Sequence, residues 1–304
     1  MSGAAAIEPP SAEPAPLARA WRSFKTIAGK VVRTRHGAAG CAILLVLALV
    51  AAFAPLIAPY APLQQARASL APPSLENLFG TDNTGRDIFS LLIYGARTSL
   101  AIGLGAALGA LMVGGAVGML AGYFRGIVES ILMRVVELFQ TLPVIVLVLF
   151  TVALFGSSFW LLLVAVILAI WPLQARLVYG QYLRLRGMDF VAAARVADLS
   201  TAHIMFREIL PSAIEPVIVQ VALDASVAIL IEAGLGFLGL SDPNMVSWGQ
   251  ILHVAQDYMT VAWWTSLFPG AAICLAVVGL NLFADGLNEV IDPRMRGRLA
   301  GLQS

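Results

Sequence analysis

Six stretches of this chain, at about 38–58, 99–121, 135–155, 159–178, 213–237 and 267–288, are almost wholly apolar. Each approaches the roughly 20 residues that carry a helix across a bilayer. Hydrocarbon offers no partner to a backbone amide or carbonyl, so runs of this length must bond within themselves as helices. The expected fold class is therefore an all-α polytopic membrane protein with six transmembrane helices. Composition agrees: 59% of the 304 residues are hydrophobic and 12% charged, outside the range of soluble domains. The first run follows a basic stretch, an order shared with signal peptides. Its membrane length and the prolines at Pro55 and Pro59 favour an uncleaved first span.

The cations orient the spans. Arg19, Arg22, Lys25, Lys30, Arg33 and Arg35 precede the first run, Arg125 and Arg134 lie in the 123–134 interval, and Arg176, Arg184, Arg186, Arg195 and Arg207 lie in 176–211. Arg294, Arg296 and Arg298 close the chain, leaving Arg67, Arg86 and Arg97 for the other side. By the positive-inside rule both termini and the 179–211 loop are expected to be cytoplasmic. The chain then divides into a disordered and basic cytoplasmic segment (1–37), a first transmembrane helix (38–58), an external loop (59–97), a five-helix core (98–288) and a cytoplasmic tail (289–304). The net charge of +1 gives no field for nucleic acid. Cys41 and Cys274 sit inside apolar runs and His36, His203 and His253 lie far apart, so neither a disulfide nor a metal site is expected. Lys25 and Lys30 are the only lysines, and Gly29-Lys30 is followed by Val31. A phosphate loop needs Lys followed by Ser or Thr, so no nucleotide hydrolysis, other catalysis or cofactor is assigned to this polypeptide.

The polar interval 187–211 stands out between two apolar runs and carries Asp189, Arg195, Asp198, His203, Arg207 and Glu208. Two short helices fit it. Asp189 is expected to cap the first, whose narrow apolar face is Phe190, Val191, Ala194 and Ala197; Ser200 is expected to cap the second, and Pro211 to end it. The bend falls near Asp198, a residue that tolerates the left-handed conformation at a cost of roughly 1 kcal/mol.

This interval resembles the cytoplasmic "EAA" loop of binding-protein-dependent ABC importer permeases. Ala193 and Ala194 match the motif's alanines and Leu210-Pro211 its closing pair, while Ala192 and Asp198 stand where the family usually has Glu and Gly. Gly80-Thr81-Asp82, Gly85-Arg86-Asp87, Tyr94-Gly95-Ala96-Arg97, Ser247-Trp248-Gly249, Asp285-Gly286-Leu287 and Asp292-Pro293-Arg294 resemble the second permease of the dipeptide, oligopeptide and nickel subfamily. The resemblance implies the ABC type-1 importer permease fold in a bacterial inner membrane. It also implies ATPase subunits that grip the 187–211 loop, a second homologous permease and an extracytoplasmic solute-binding protein. Asp189, Phe190, Ala193, Ala194, Asp198, Leu210 and Pro211 are then the coupling residues.

The fifth run carries Glu215, Asp224 and Glu232. A mid-membrane acid costs about 2.5–3.5 kcal/mol on an insertion scale, so these side chains are expected to avoid lipid. Helical spacing places Gln220, Asp224 and Glu232 near one stripe, facing the bundle interior or a translocation path, with Glu215 opposite. An ion-coupled secondary transporter using Asp224 and Glu232 is the competing reading, although no internal repeat of the kind such carriers show is evident. Gly105, Gly109, Gly114, Gly118 and Gly122 let helix backbones approach, within the subunit or at a subunit interface. Gly234, Gly236 and Gly239 match G-x-G-x-x-G literally but open no soluble helix, so no dinucleotide is implied. The stretch after them, rich in Trp and Tyr, suits a membrane interface, with a short helix expected over 247–258.

Overall fold

The computed structural model describes residues 29–65 and 68–291, and those residues are helical with no strand beyond two isolated bridges. The expected N-terminal tail, Arg19, Arg22, Lys25, Arg67, Asp292-Pro293-Arg294 and the closing arginines lie outside the described residues. Among the described residues the helices from Arg35 onward run in order: α1 Arg35–Ala52, α2 Ala54–Ile57, α3 Ile88–Phe124, α4 Gly126–Thr141, α5 Val144–Phe155, α6 Phe159–Leu185, α7 Asp189–Val196, α8 Thr201–His203, α9 Leu210–Phe237, α10 Trp248–Ala255 and α11 Trp264–Ile291. A π-helical turn, Ile204–Ile209, joins α8 to α9, and a 3₁₀ turn, Gln256–Tyr258, follows α10. Five spans are long and apolar enough to cross a membrane, counting Thr201–Phe237 as one; α4 and α5, bent by 87°, supply a sixth if taken together.

Local chemistry sets the boundaries. Thr34 caps α1, its hydroxyl accepting from Gly37 N–H at 3.1 Å, and Pro55 opens the short α2. The second span is longer than its apolar run: α3 begins at Ile88 because Asp87 caps it, accepting from Ser90 N–H at 2.8 Å. In the 123–134 interval, expected as a loop, Tyr123 and Phe124 close α3, Arg125 makes the junction and Gly126 onward opens α4; Arg125 pairs with Glu129 at 3.6 Å and Arg134 with Glu137 at 3.2 Å. The third apolar run, expected over 135–155, is broken into α4 and α5, because Pro143 cannot donate and holds Leu142 extended at ψ 130°.

The glycines of α3 pack within the subunit. A Cβ on Gly114 would lie 2.5 Å from Trp171 O, one on Gly118 2.4 Å from Ala175 O, and one on Gly122 2.6 Å from Tyr182 Cβ, so α3 and α6 meet backbone to backbone. The N-terminal helix docks by the same device, with Gly40 against Phe283 and Gly37 against Gly286 of α11.

The 68–87 segment folds against the start of α11. Phe79 stacks on Phe268 at 4.0 Å, and Trp264 Nε1 donates to Thr81 O at 3.2 Å. Asp82 organises the turn: Oδ1 accepts from the N–H groups of Thr84 (2.8 Å) and Arg86 (2.9 Å), and Oδ2 from Arg86 Nε (2.8 Å).

Candidate functional site

The 187–211 interval forms one compact element. Met188, extended at φ −82° and ψ 155°, is the N-cap of α7; Asp189, expected there, occupies the first turn. Its carboxylate faces the positive end of the helix dipole instead of capping it. Helix α7 ends in a Schellman motif: Leu199 N–H donates to Ala194 O at 3.2 Å and Asp198 N–H to Arg195 O at 3.0 Å. Asp198 takes φ +55° to make the turn. Ser200 then caps α8, its hydroxyl accepting from His203 N–H at 3.3 Å.

Pro211 does not end a separate second helix. The chain runs on from Thr201 to Phe237, because Ile204–Ile209 widens to a π turn in which Leu210 N–H bonds Met205 O. Widening the helix just before a proline relieves the clash of its ring with the preceding turn. Tyr182 of α6 donates its hydroxyl to the same Met205 O at 2.9 Å, so that this carbonyl takes a second donor beside Leu210 N–H.

The expected apolar face of α7 splits in two. Val191 and Ala194 are buried with Tyr182, Leu185, Ile204, Met205 and Ile209, fastening α7 to the end of α6 and the π turn. Phe190, Ala193 and Ala197 face outward, so the two motif alanines have different environments. Exposed apolar side chains cluster in the same interval: Met188, Phe190, Val196, Leu199 and Phe206, with Val196 89% exposed. Arg186 Nη1 donates to Tyr123 O at 2.7 Å, and Arg195 lies 6.0 Å over the Tyr123 ring. The element is therefore tied to the C-terminal end of α3 as well as to α6. Arg186, Tyr182 and Tyr123 were not singled out in the sequence, because neither a long-range bond to a carbonyl nor its partner is visible there.

Two of the three acids of α9, Asp224 and Glu232, are buried within the subunit, as their cost in lipid requires. Gln220 Nε2 donates to Asp224 Oδ1 at 2.8 Å, and Asp224 is 1% exposed. Glu232, fully buried two turns on, accepts from Ser99 of α3 at 2.9 Å, so Gln220 and Asp224 meet while Glu232 belongs to a different contact. Glu215 is exposed and lines a groove with His36, Arg184, Asp285 and Glu289 at the other end of the helices. His36 and Glu289 pair there at 2.5 Å, fastening α1 to α11. Among the described residues no three His, Cys, Asp or Glu converge as a metal site.

Comparison with known proteins gives three concordant findings. Residues 114–297 match the family described as "Binding-protein-dependent transport system inner membrane component". The chain is 40% identical to the dipeptide transport system permease protein DppC of Escherichia coli over 92% of this chain and 94% of that protein. It is 37% identical to the di/tripeptide transport system permease protein DppC of Pseudomonas aeruginosa, over 97% and 98% of the two chains. Among solved structures it resembles a chain of the MetNI methionine ABC transporter in an inward-facing conformation, with TM-score 0.56 and 19% identity, covering 67% of this chain and 98% of that one.

Proposed function

This chain belongs to the family of inner-membrane components of binding-protein-dependent transport systems, and from that premise we propose that it carries small peptides and is driven through residues 187–211. It is a multi-pass permease subunit of an ABC importer in the cytoplasmic membrane, with the type-1 permease fold and a transport rather than an enzymatic role. The finer assignments are ours. Peptides are the solute class because the relatives that match nearly end to end are dipeptide and di/tripeptide permeases. A second homologous permease completes the path, an external binding protein delivers the solute, and two ATPase subunits supply the energy from the side of α7.

One observation carries the coupling role. Helix α7, the turn after it and the π turn present exposed apolar side chains, Phe190, Val196, Leu199 and Phe206, on a base fastened to both α3 and α6. Apolar exposure on a rigid mount suits a partner groove, and a push on that mount is delivered to two spans at once. ATP binding would close the ATPase dimer, displace α7 and switch the spans between inward and outward opening. For this to work, the partner must bind the two states with different affinity.

Family membership does not favour the ion-coupled alternative, and Glu232 is sealed against Ser99. The test is uptake of a labelled dipeptide by proteoliposomes holding the whole transporter and its binding protein. Uptake should require internal ATP and persist with a protonophore. Uptake that ignores ATP and collapses with the protonophore would refute the proposal.

A further inference from the structure

Helix α4 divides cleanly around its axis. At about 3.6 residues per turn, Glu129, Ser130, Arg134, Glu137, Gln140 and Thr141 fall on one arc, and Ile127, Val128, Ile131, Val135 and Leu138 on the other. Both arcs are open on this subunit: the Arg134 side chain is 82% exposed and Ile127 78%. With α5, the helix makes an apolar segment of membrane length. Charges on such a segment are not left to lipid, so the polar arc faces water and the apolar arc faces acyl chains or a neighbouring subunit.

The polar arc meets α6 in a groove lined by Glu129, Ser130, Arg134, Glu137, Arg176 and Tyr179, with Met133 its one long apolar side chain. At one end Arg134 Nη1 donates to Glu137 Oε2 at 3.2 Å, while Arg176 Nη2 stands 4.0 Å from Glu137 Oε1, too far for a hydrogen bond. Two guanidiniums thus share one carboxylate, which leaves a net positive charge and donors to spare. At the other end Glu129 Oε1 accepts from the Tyr179 hydroxyl, and Oε2 meets Arg125 only at 3.6 Å. From Glu129 to Arg134 the helix rises about 7.5 Å, five residues at about 1.5 Å each. An extended dipeptide spans at most about 7 Å, two residues at about 3.5 Å, so one molecule reaches both ends.

We propose that this groove lies on the solute's route and holds a dipeptide zwitterion end to end, its carboxylate between Arg134 and Arg176 and its ammonium on Glu129 Oε2. The assignment rests on the peptide-importer reading above. Glu137 is a positioning residue that keeps the two guanidiniums together. Ion pairs as exposed as these are weak, so a peptide exchanges with them at little cost and leaves again, as passage requires.

The test uses the whole detergent-purified transporter, without binding protein or ATP, carrying Ser130→Cys in a permease with Cys41→Ala and Cys274→Ala. Ser130 is exposed in the groove, and the readout is the rate at which a maleimide labels the permease chain in the presence of alanyl-alanine. The rate should fall by the factor 1 + [L]/Kd, by half at about 1 mM and about tenfold at about 10 mM dipeptide. The N-acetylated dipeptide, the C-amidated dipeptide and acetate should not protect at the same concentration and ionic strength. Arg176→Gln and Glu129→Gln should each lose the protection, and labelling of Val196→Cys should not respond to dipeptide. Absence of protection overturns the proposal, as does equal protection by a capped peptide or acetate, or a cysteine that never reacts because a neighbouring subunit covers it. Protection that survives in Arg176→Gln or Glu129→Gln overturns it too. Labelling is read without uptake: ATP-dependent dipeptide uptake with no protection removes the groove alone, whereas uptake that ignores ATP removes the transport reading.

Discussion

Replacing Ala193 by Arg and Ala194 by Leu separates docking from folding at adjacent positions. Ala193 points outward from α7, so Arg there is a surface change, worth within about 0.5 kcal/mol to the stability of the chain. Ala194 is 7% exposed and packs with Tyr182, Ile204 and Met205, so Leu must force that cluster apart at about 1–3 kcal/mol. Docking reverses the ranking. An unpaired charge buried in an apolar groove costs about 2–5 kcal/mol, and at about 1.4 kcal/mol per decade this weakens the ATPase by about 30-fold to about 4,000-fold. The assay combines the membrane level of the permease, its thermal midpoint in detergent, co-purification of the ATPase and dipeptide uptake. Ala193→Arg should keep level and midpoint but lose co-purification and uptake, while Ala194→Leu should lower the midpoint. Normal uptake with Ala193→Arg, or equal destabilisation by the two variants, would refute the division of α7 into a packed face and a docking face.

Two further outcomes follow from the packing of α3 and α6. Gly118→Ala should destabilise the chain by about 1–3 kcal/mol in a thermal or denaturant titration, because its Cβ meets Ala175 O at 2.4 Å. Gly180→Ala in α6 meets nothing within 4 Å and should be neutral or stabilising by up to about 1 kcal/mol. Arg186→Gln forfeits a charge-assisted bond to Tyr123 O worth about 1.5–3 kcal/mol. It should lower uptake per ATP hydrolysed, measured in proteoliposomes, while leaving the ATPase bound.

The spans were legible because bilayer thickness and backbone satisfaction leave few choices for a long apolar run. The turn at Asp198 was legible for a similar reason, since few residues other than Gly, Asn and Asp enter the left-handed region readily. The departures share another cause. Arg125 and Arg134 made the start of α4 read as a loop, although they pair with Glu129 and Glu137 along a helix. Pro211 read as a terminator because a single sequence does not reveal that a π turn will absorb its ring. Asp189 read as the cap because its side chain can cap, whereas the extended backbone falls one residue earlier, at Met188. At the coupling element the motif residues were visible, but the split between Ala193 and Ala194 depends on how α7 lies against α6, which periodicity along one short helix does not fix.

Drive from the cytoplasmic side through α7 is tested most directly by a single cysteine at Val196, 89% exposed, in a chain carrying Cys41→Ala and Cys274→Ala. Paired with cysteines along the groove of the co-expressed ATPase, it should cross-link in inverted membrane vesicles, with a yield that changes when ATP is bound. It should also react with a membrane-impermeant thiol reagent in inverted vesicles but not in intact spheroplasts. Labelling of Val196→Cys from outside spheroplasts, with no cross-link to the ATPase in any nucleotide state, would contradict the account.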